Sequence, residues 1–264
     1  NDILRNIFAK TAKAKGTVHF VGSVSKKIYG SSNRLHALME FAKRTGVLRT
    51  RVHMILGGAE DASQGALRTI KELPLSDTVK LGSLIGRHYA ADNTVGSSKL
   101  QAAKNALLNI GMKTDDPENY LHNFYLHGMA DEFAEPASVG PDPRGIEEND
   151  AVIFFDADGH ALQALVRGIA EGPDTPHSVL VATIADYGLG TAVPAAFADD
   201  RPEKTLGSVL AAHKKIQFRI AETCRYPHVT YFMNGLSDAP FENEYRILVP
   251  APDVAHKDER PRMM

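Results

Sequence analysis

Hydrophobic and polar positions alternate between strand and helix periods along most of the chain. Ile3, Leu4, Ile7, Phe8 and Ala12 recur at helical spacing, with Asp2 placed to cap the helix and Gly16 to stop it. The run TVHFVGSV at 17–24 is almost wholly apolar and predicts a buried strand. An amphipathic helix is predicted over 31–46, where Leu35, Leu38, Met39 and Ala42 share a face and Gly46 supplies a left-handed cap. Next come a strand at 51–56, a helix at 61–73 ended by Pro74, a strand at 79–85, and a helix at 97–110 closed by Gly111. This alternation predicts an α/β fold, a parallel sheet flanked by helices.

The second half is less regular. Residues 119–133 read as helix, and 136–150, rich in Pro, Gly and acids, as a loop. AVIFF at 151–155 is a buried strand, 161–169 a helix and 178–184 another strand. Glycine and proline breaks make 185–202 a connection, and 204–213 a short helix. Ile216, Phe218 and Ile220 then alternate with Gln217 and Arg219, the period of a half-buried strand. Glu222, Thr223, Cys224 and Arg225 stand at its exit, an apolar-aromatic run reaches Met233, and Asn234-Gly235 marks a turn. Arg225 offers a fork of donors matched to phosphate oxygens, although a solvated strand end is the ordinary reading of such residues.

At 264 residues the chain is long enough for one large or two modest domains. Its apolar content of 43% and charged content of 23% are those of an ordinary globular protein. A formal charge of −2 gives no electrostatic case for nucleic acid or an acidic membrane. No apolar run approaches the roughly 20 residues of a membrane span. No signal-peptide pattern stands at the start. The single cysteine, Cys224, excludes an intrachain disulfide. Eleven histidines are scattered without zinc-site spacing, so surface or satisfied core positions are expected for them.

The segment RIAETCRYPHVTYFMNG resembles the R-x-A-E-T-E-K-Y-x-H-V-T-x-F-x-N-G segment of the cofactor-independent phosphoglycerate mutases. Further on, EYRILVPAPDVAHKDERPRMM is similar to that family's E-R-x-L-V-P-S-P-x-V-x-T-Y-D-x-x-P-E-M-S segment. The resemblance implies a phosphotransferase-like α/β domain over 1–198. It implies that 199–264 is a remnant of a second domain with an alkaline-phosphatase-like fold. In the family that second domain holds two metal ions and a serine nucleophile. They come from segments before and after the region resembled here, so the resemblance assigns no catalytic residue, metal ligand or cofactor to these residues.

The family's substrate-gripping motifs are present in altered form. The histidine of S-D-G-G-V-H-S-H falls on Gly30, with Lys26 and Lys27 as weak substitutes. D-G-R-D-T becomes Gly57, Gly58, Ala59, Glu60 and Asp61, which loses the arginine. G-R-Y-Y-A-M-D-R retains Arg87 but ends in Asn93, and F-F-N-F-R-A-D-R carries Asp156, Asp158 and Ala161 at its asparagine and two arginines. Only Arg87 and Arg225 keep cations at family phosphate-binding positions. Each such contact contributes roughly 1.5–3 kcal/mol, so the resemblance implies weak or absent phosphoglycerate binding. The stretch AVIFFDADGH also looks like the D-x-D-G strand end of haloacid-dehalogenase-type phosphatases, with Asp156 as nucleophile and Asp156, Asp158 and His160 as metal-binding candidates. Its mid-chain position and the histidine after Gly159 argue against that reading.

The function expected from these losses is a non-catalytic, intracellular structural or assembly subunit, in the cytoplasm or an organelle matrix, with Arg87 and Arg225 as vestigial phosphate contacts. A protein partner is expected to cover 216–252, whose apolar strands belong in the family to a larger sheet. The alternative is a mutase fragment that interconverts 3- and 2-phosphoglycerate once joined to the metal-binding part.

Overall fold

The chain builds two units, Asn1–Ala198 and Asp199–Met264. They are described in a computed structural model that covers residues 1–24, 31–57, 63–92, 97–141, 143–157, 159–197, 202, 204–223 and 225–251. The first unit holds a seven-stranded sheet. Its strands are β1 (Val18–Ser23), β2 (Thr50–Leu56), β3 (Val79–Gly86), β4 (Lys113–Thr114), β5 (Ala137–Val139), β6 (Ala151–Phe154) and β7 (Leu180–Thr183). They lie in the order β4-β5-β3-β2-β1-β6-β7. All neighbours are parallel except β3 and β5.

Helices cover both faces, as continuous apolar strands require. On one side α1 (Asp2–Lys13), α2 (Ser31–Arg44), α3 (Ala66–Glu72) and α6 (Pro117–Leu126) pack Leu4, Phe8, Leu35, Leu38, Ile70 and Leu121 against Phe20, Met54 and Ile153. On the other, α5 (Ser98–Leu107) and α7 (Gln163–Ala170) pack Leu100, Leu107, Leu165 and Ile169 against Val21, Ile55 and Phe154. The predicted strands and major helices are all present, and Gly46 has φ 88° after α2.

Several expectations need correction. The cap of α1 is Asn1, whose side chain accepts from the Leu4 amide, and not Asp2, which lies in the first turn. Helix α3 begins at Ala66 rather than at residue 61. Its opening amides are satisfied from far along the chain: Asp131 Oδ2 accepts from Gly65 N at 2.7 Å and Ala66 N at 2.9 Å, while the Tyr125 hydroxyl donates to Oδ1. The helix predicted over 119–133 ends at Leu126, and a 3₁₀ turn at Asp131–Phe133 delivers that aspartate. The 136–150 loop contains β5, an antiparallel strand too short to show a period. A four-residue helix, α4 (Arg87–Ala90), follows β3 directly and was not foreseen.

A polar chain crosses the buried sheet. The side chains of His19, His53, Ser83 and Asp150 are all buried. His19 Nε2 lies 3.1 Å from Asp150 Oδ2, His19 Nδ1 2.8 Å from His53 Nε2, and His53 Nδ1 2.8 Å from Ser83 Oγ. With Asp150 ionised, one donor order satisfies every atom: the Ser83 hydroxyl donates to His53, His53 to His19, and His19 to Asp150. The Thr17 and Glu147 amides donate to the same carboxylate at 2.6 and 2.9 Å. Gly82 makes room for the relay, since a Cβ there would stand 2.5 Å from the His53 ring.

Burial holds both histidines below 6.5; in His19 it outweighs the opposing pull of Asp150, and in His53 the His19 and Arg51 charges add to it. Burial also pushes Asp150 up, but the bonds from His19 and the Thr17 amide win and its carboxyl is lowered. Because the folded histidines are harder to protonate than the unfolded ones, the unfolded state takes up protons first. Stability should hold above pH 6.5 and fall below it, by up to about 1.4 kcal/mol per pH unit for each histidine. The lowered Asp150 adds a loss only at still more acid pH. Urea titrations across pH 5–8 test this; an acid limb unchanged in a His19→Gln/His53→Gln double variant would assign it elsewhere.

The second unit has helix α8 (Leu206–Ala212) and a parallel pair, β8 (Gln217–Glu222) and β9 (Glu244–Val249). Between the strands lies a wide π-type helical turn, His228–Phe232. The period-two strand is present, but its apolar members face outward. Phe218 and Ile220 are 64% and 57% exposed, whereas Gln217 and Arg219 are 7% and 4% exposed. On β9, Tyr245 and Ile247 share the outer face at 53% and 46%. The inner face is a polar cluster. Arg219 donates to Gln217 Oε1 at 2.6 Å, and Glu244 accepts from Asn234 at 2.9 Å, Arg246 Nε at 2.7 Å and the Phe241 amide at 3.1 Å. Glu244→Ala should cost the second unit about 3 kcal/mol, since it removes the carboxylate these donors share. A thermal unfolding comparison checks it, and Phe218→Ser on the outer face should cost far less.

Candidate functional site

The sheet order reverses direction at β1. The chain steps to β2 and β3 on one side and returns to β6 and β7 on the other. Such a switch leaves a crevice outside the carboxyl ends of the two central strands, the usual ligand position in open α/β sheets. Here those ends are Ser23 on β1 and Asp156, two residues beyond β6. Arg87 opens α4 at the carboxyl end of β3, half-buried.

Asp156 is 9% exposed and is built into this edge. Its Oδ1 accepts from the Ser23 amide at 2.9 Å and its Oδ2 from the Ser23 hydroxyl at 3.1 Å. Its backbone carbonyl accepts from the Tyr187 hydroxyl at 2.7 Å. Arg34 of α2 donates to the neighbouring Phe155 carbonyl at 2.8 Å. Burial pushes the Asp156 carboxyl up to about 6, against the pull of the two Ser23 bonds and of the Arg87 and Arg34 charges. A raised carboxyl at a strand end is a common mark of a functional position.

Arg87 belongs to the first unit and Arg225 to the second, on the exposed segment after β8. Ser25 to Gly30, Gly58 to Asp61, Asn93, Asp158 and Cys224 lie outside the described residues, as does the side chain of His160. Gly57 closes β2 at φ 81°, and a Cβ there would stand 2.5–2.7 Å from atoms of Glu132. Its role is thus a close backbone approach. The described residues hold no group of three His, Cys, Asp or Glu side chains able to bind a metal ion. The two-metal centre of the resembled family finds no ligand set among them. No helix among the described residues is long and apolar enough to cross a membrane.

Sequence reasoning weighed Asp156 only as a metal ligand or nucleophile and did not find Ser23 or Arg34. Nothing in a lone serine and a helix arginine marks them; Ser23 meets Asp156 through the β1–β6 pairing, and Arg34 reaches the Phe155 carbonyl from α2. The histidine relay carried a usable signal, a histidine inside each of two apolar strands, TVHFVGSV and RVHMIL.

The architecture defines a doubly wound α/β domain with a charged carboxyl edge, joined to a smaller unit. The family model described as the BPG-independent PGAM N-terminus matches residues 1–173, and the chain belongs to that family, the 2,3-bisphosphoglycerate-independent phosphoglycerate mutases. Over its whole length it is 32% identical to the 2,3-bisphosphoglycerate-independent phosphoglycerate mutase of Lawsonia intracellularis and 31% identical to that of Haloarcula marismortui. It covers 54% and 53% of those proteins, so the chain spans about half the length of the curated relatives it matches. The solved phosphoglycerate mutase of Leishmania mexicana superposes with a TM-score of 0.84 at 22% identity, over 98% of this chain and 52% of that one, which shows the shared fold. Family membership removes the haloacid-dehalogenase reading of AVIFFDADGH.

Two variants probe the edge. The folded Asp156 carboxyl sits above its ordinary 3.8, so the stability it lends is full below 3.8 and is lost as pH rises through about 6. Asp156→Asn should therefore raise stability at pH 7.5 by up to about 3 kcal/mol and change little near pH 4. Tyr187→Phe should lower it by about 1 kcal/mol at either pH. Thermal or urea unfolding at the two pH values checks both.

Proposed function

We propose that this chain is the phosphotransferase-domain part of a cofactor-independent phosphoglycerate mutase, with a remnant of the phosphatase-like domain, and that it takes part in interconverting 3- and 2-phosphoglycerate when joined to a metal-bearing part. The observation that carries this reading is the whole-chain match to mutases at about half their length. The retained arginine at the carboxyl edge supports it, and Arg225 in the second unit is the other family cation kept. In this reading the chain binds and orients the phosphorylated acid, while the covalent step belongs to the part beyond it. Work inside the cell, in the cytoplasm or an organelle matrix, follows from such a metabolic role.

The outward apolar face of β8 and β9 supports the same reading. Phe218 and Tyr245 stack at 5.4 Å, and with Ile220 and Ile247 they form a surface that a two-stranded sheet cannot cover alone. The remainder of the phosphatase-like domain is its proposed partner. No finding favours an assembly role as such. A second reading, a mutase relative that no longer turns over, is favoured by one observation: Ala59, Asn93, Asp158 and Ala161 replace four family cations.

Mixing the chain with the metal-bearing remainder of a relative, with manganese present, decides between them. Conversion of 3- to 2-phosphoglycerate establishes the first reading. A complex that forms without turnover establishes the second. In the first case Arg87→Ala should raise KM at least about tenfold, the value of one lost charged contact. Phe218→Asp should abolish the complex; if pairing survives it, the β8–β9 face is not the contact.

A further inference from the structure

The proposed turnover makes no use of a cleft at the amino end of the sheet. We propose that this cleft binds a small amphipathic monocarboxylate, an acid with an apolar chain or ring and one negative charge. It lies between the carboxyl-terminal half of α2 and the turn that leads from α3 into β3, at the opposite end of the sheet from Ser23 and Asp156. Its volume is about 440 Å³, within the roughly 300–1,000 Å³ of ligand pockets.

Both walls are fixed by the backbone. Gly46, at φ 88°, turns the chain after α2, so that Val47 is buried and Leu48 stands 66% exposed on the rim. In the opposite wall the Ser76 amide donates to the Val79 carbonyl at 2.8 Å, and the Val79 amide to Ser76 Oγ at 3.2 Å. The Thr50 amide donates to the Thr78 carbonyl at 2.8 Å and ties this turn to β2. Met39, Val47 and Val79 supply an apolar floor, and Leu48 and Pro74 an apolar rim.

The charges on the helix wall select the ligand. His36, Glu40 and Lys43 line the cleft, all from α2. Glu40 accepts from Arg44 Nε at 3.0 Å, and His36 Nδ1 donates to the Ser32 carbonyl at 2.8 Å. Lys43 differs from both: among the described residues its ammonium has no hydrogen-bond or ion-pair partner. It is open to an anionic group, while its stem covers apolar surface. One free cation, with the Glu40 carboxylate a turn of helix away, favours a single negative charge over the two of a phosphomonoester. Across the cleft the Ser76 and Thr78 hydroxyls, 3.3 Å apart, offer polar contacts to the same ligand.

Octanoate is the probe, titrated into the full chain and followed by amide NMR shifts. It should bind saturably and move the amides of residues 39–50 and 74–79. Lys43→Ala should weaken binding about fivefold, the value of one exposed ion pair, and octanol should bind the unmodified chain more weakly by a similar factor. Leu48→Asp, at an exposed position, should abolish binding and leave the fold intact. Phe218→Ser, on the apolar face of the second unit, should leave binding unchanged. Absence of a saturable shift at residues 39–50 overturns the proposal. So does binding that survives Leu48→Asp or is lost with Phe218→Ser, because the ligand then sits elsewhere. Equal affinity for octanol, or an affinity that ignores Lys43→Ala, overturns the assignment to a carboxylate. None of these outcomes bears on mutase turnover, which the mixing experiment decides separately.

Discussion

The parallel pairing of β1 with both β2 and β6 is the constraint on which the first unit depends. Val18 meets Thr50 on one side and Ala151 on the other, in register along each strand. Connections on the two sides of such a centre run in opposite directions, which places a crevice outside the carboxyl ends of β1 and β6. Ser23 and Asp156 meet there through that pairing alone, although 133 residues separate them. The same pairing brings Asp150, just before β6, beneath His19 of β1. The chemically interesting groups at the two ends of the sheet are thus products of one registration.

The two ends carry buried charge in opposite ways. At the amino end, Asp150 is matched by amides and by a histidine donor, and its ionised form is favoured. At the carboxyl end, Asp156 has one serine and two more distant cations, and burial prevails. A fully satisfied polar network fixes one arrangement of the core. An acid held short of full compensation keeps its proton to a higher pH. The second unit shows a third arrangement. It buries Arg219 and Asn234, half-buries Glu244 and Arg246 beside them, and leaves Phe218, Ile220, Tyr245 and Ile247 exposed.

The elements with a strong period were legible in the sequence. Continuous apolar runs gave β1, β2, β3 and β6, and helical spacing gave α1, α2, α5 and α7. The parts that were not legible depended on distant partners. Helix α3 starts where Asp131 can cap it, 65 residues away, so no local signal marks residue 66. Strand β5 is three residues long and is defined by its neighbours, antiparallel to β3 and parallel to β4. Alternation at Ile216, Phe218 and Ile220 correctly announced a strand but not which side is buried, because period two is the same whichever face is covered. At the site, Arg87 was found through its motif, whereas Ser23 and Arg34 were not.

Amino-acid order alone determined the fold class, the family and the loss of cations at Ala59, Asn93, Asp158 and Ala161, since these need only local spacing and residue identity. The tertiary structure decided the environment of each titratable group. It set His19 against His53, closed Asp150 with amides, and buried Asp156 against Ser23. Protonation follows burial and charged neighbours, and neither exists until strands far apart in the chain lie side by side.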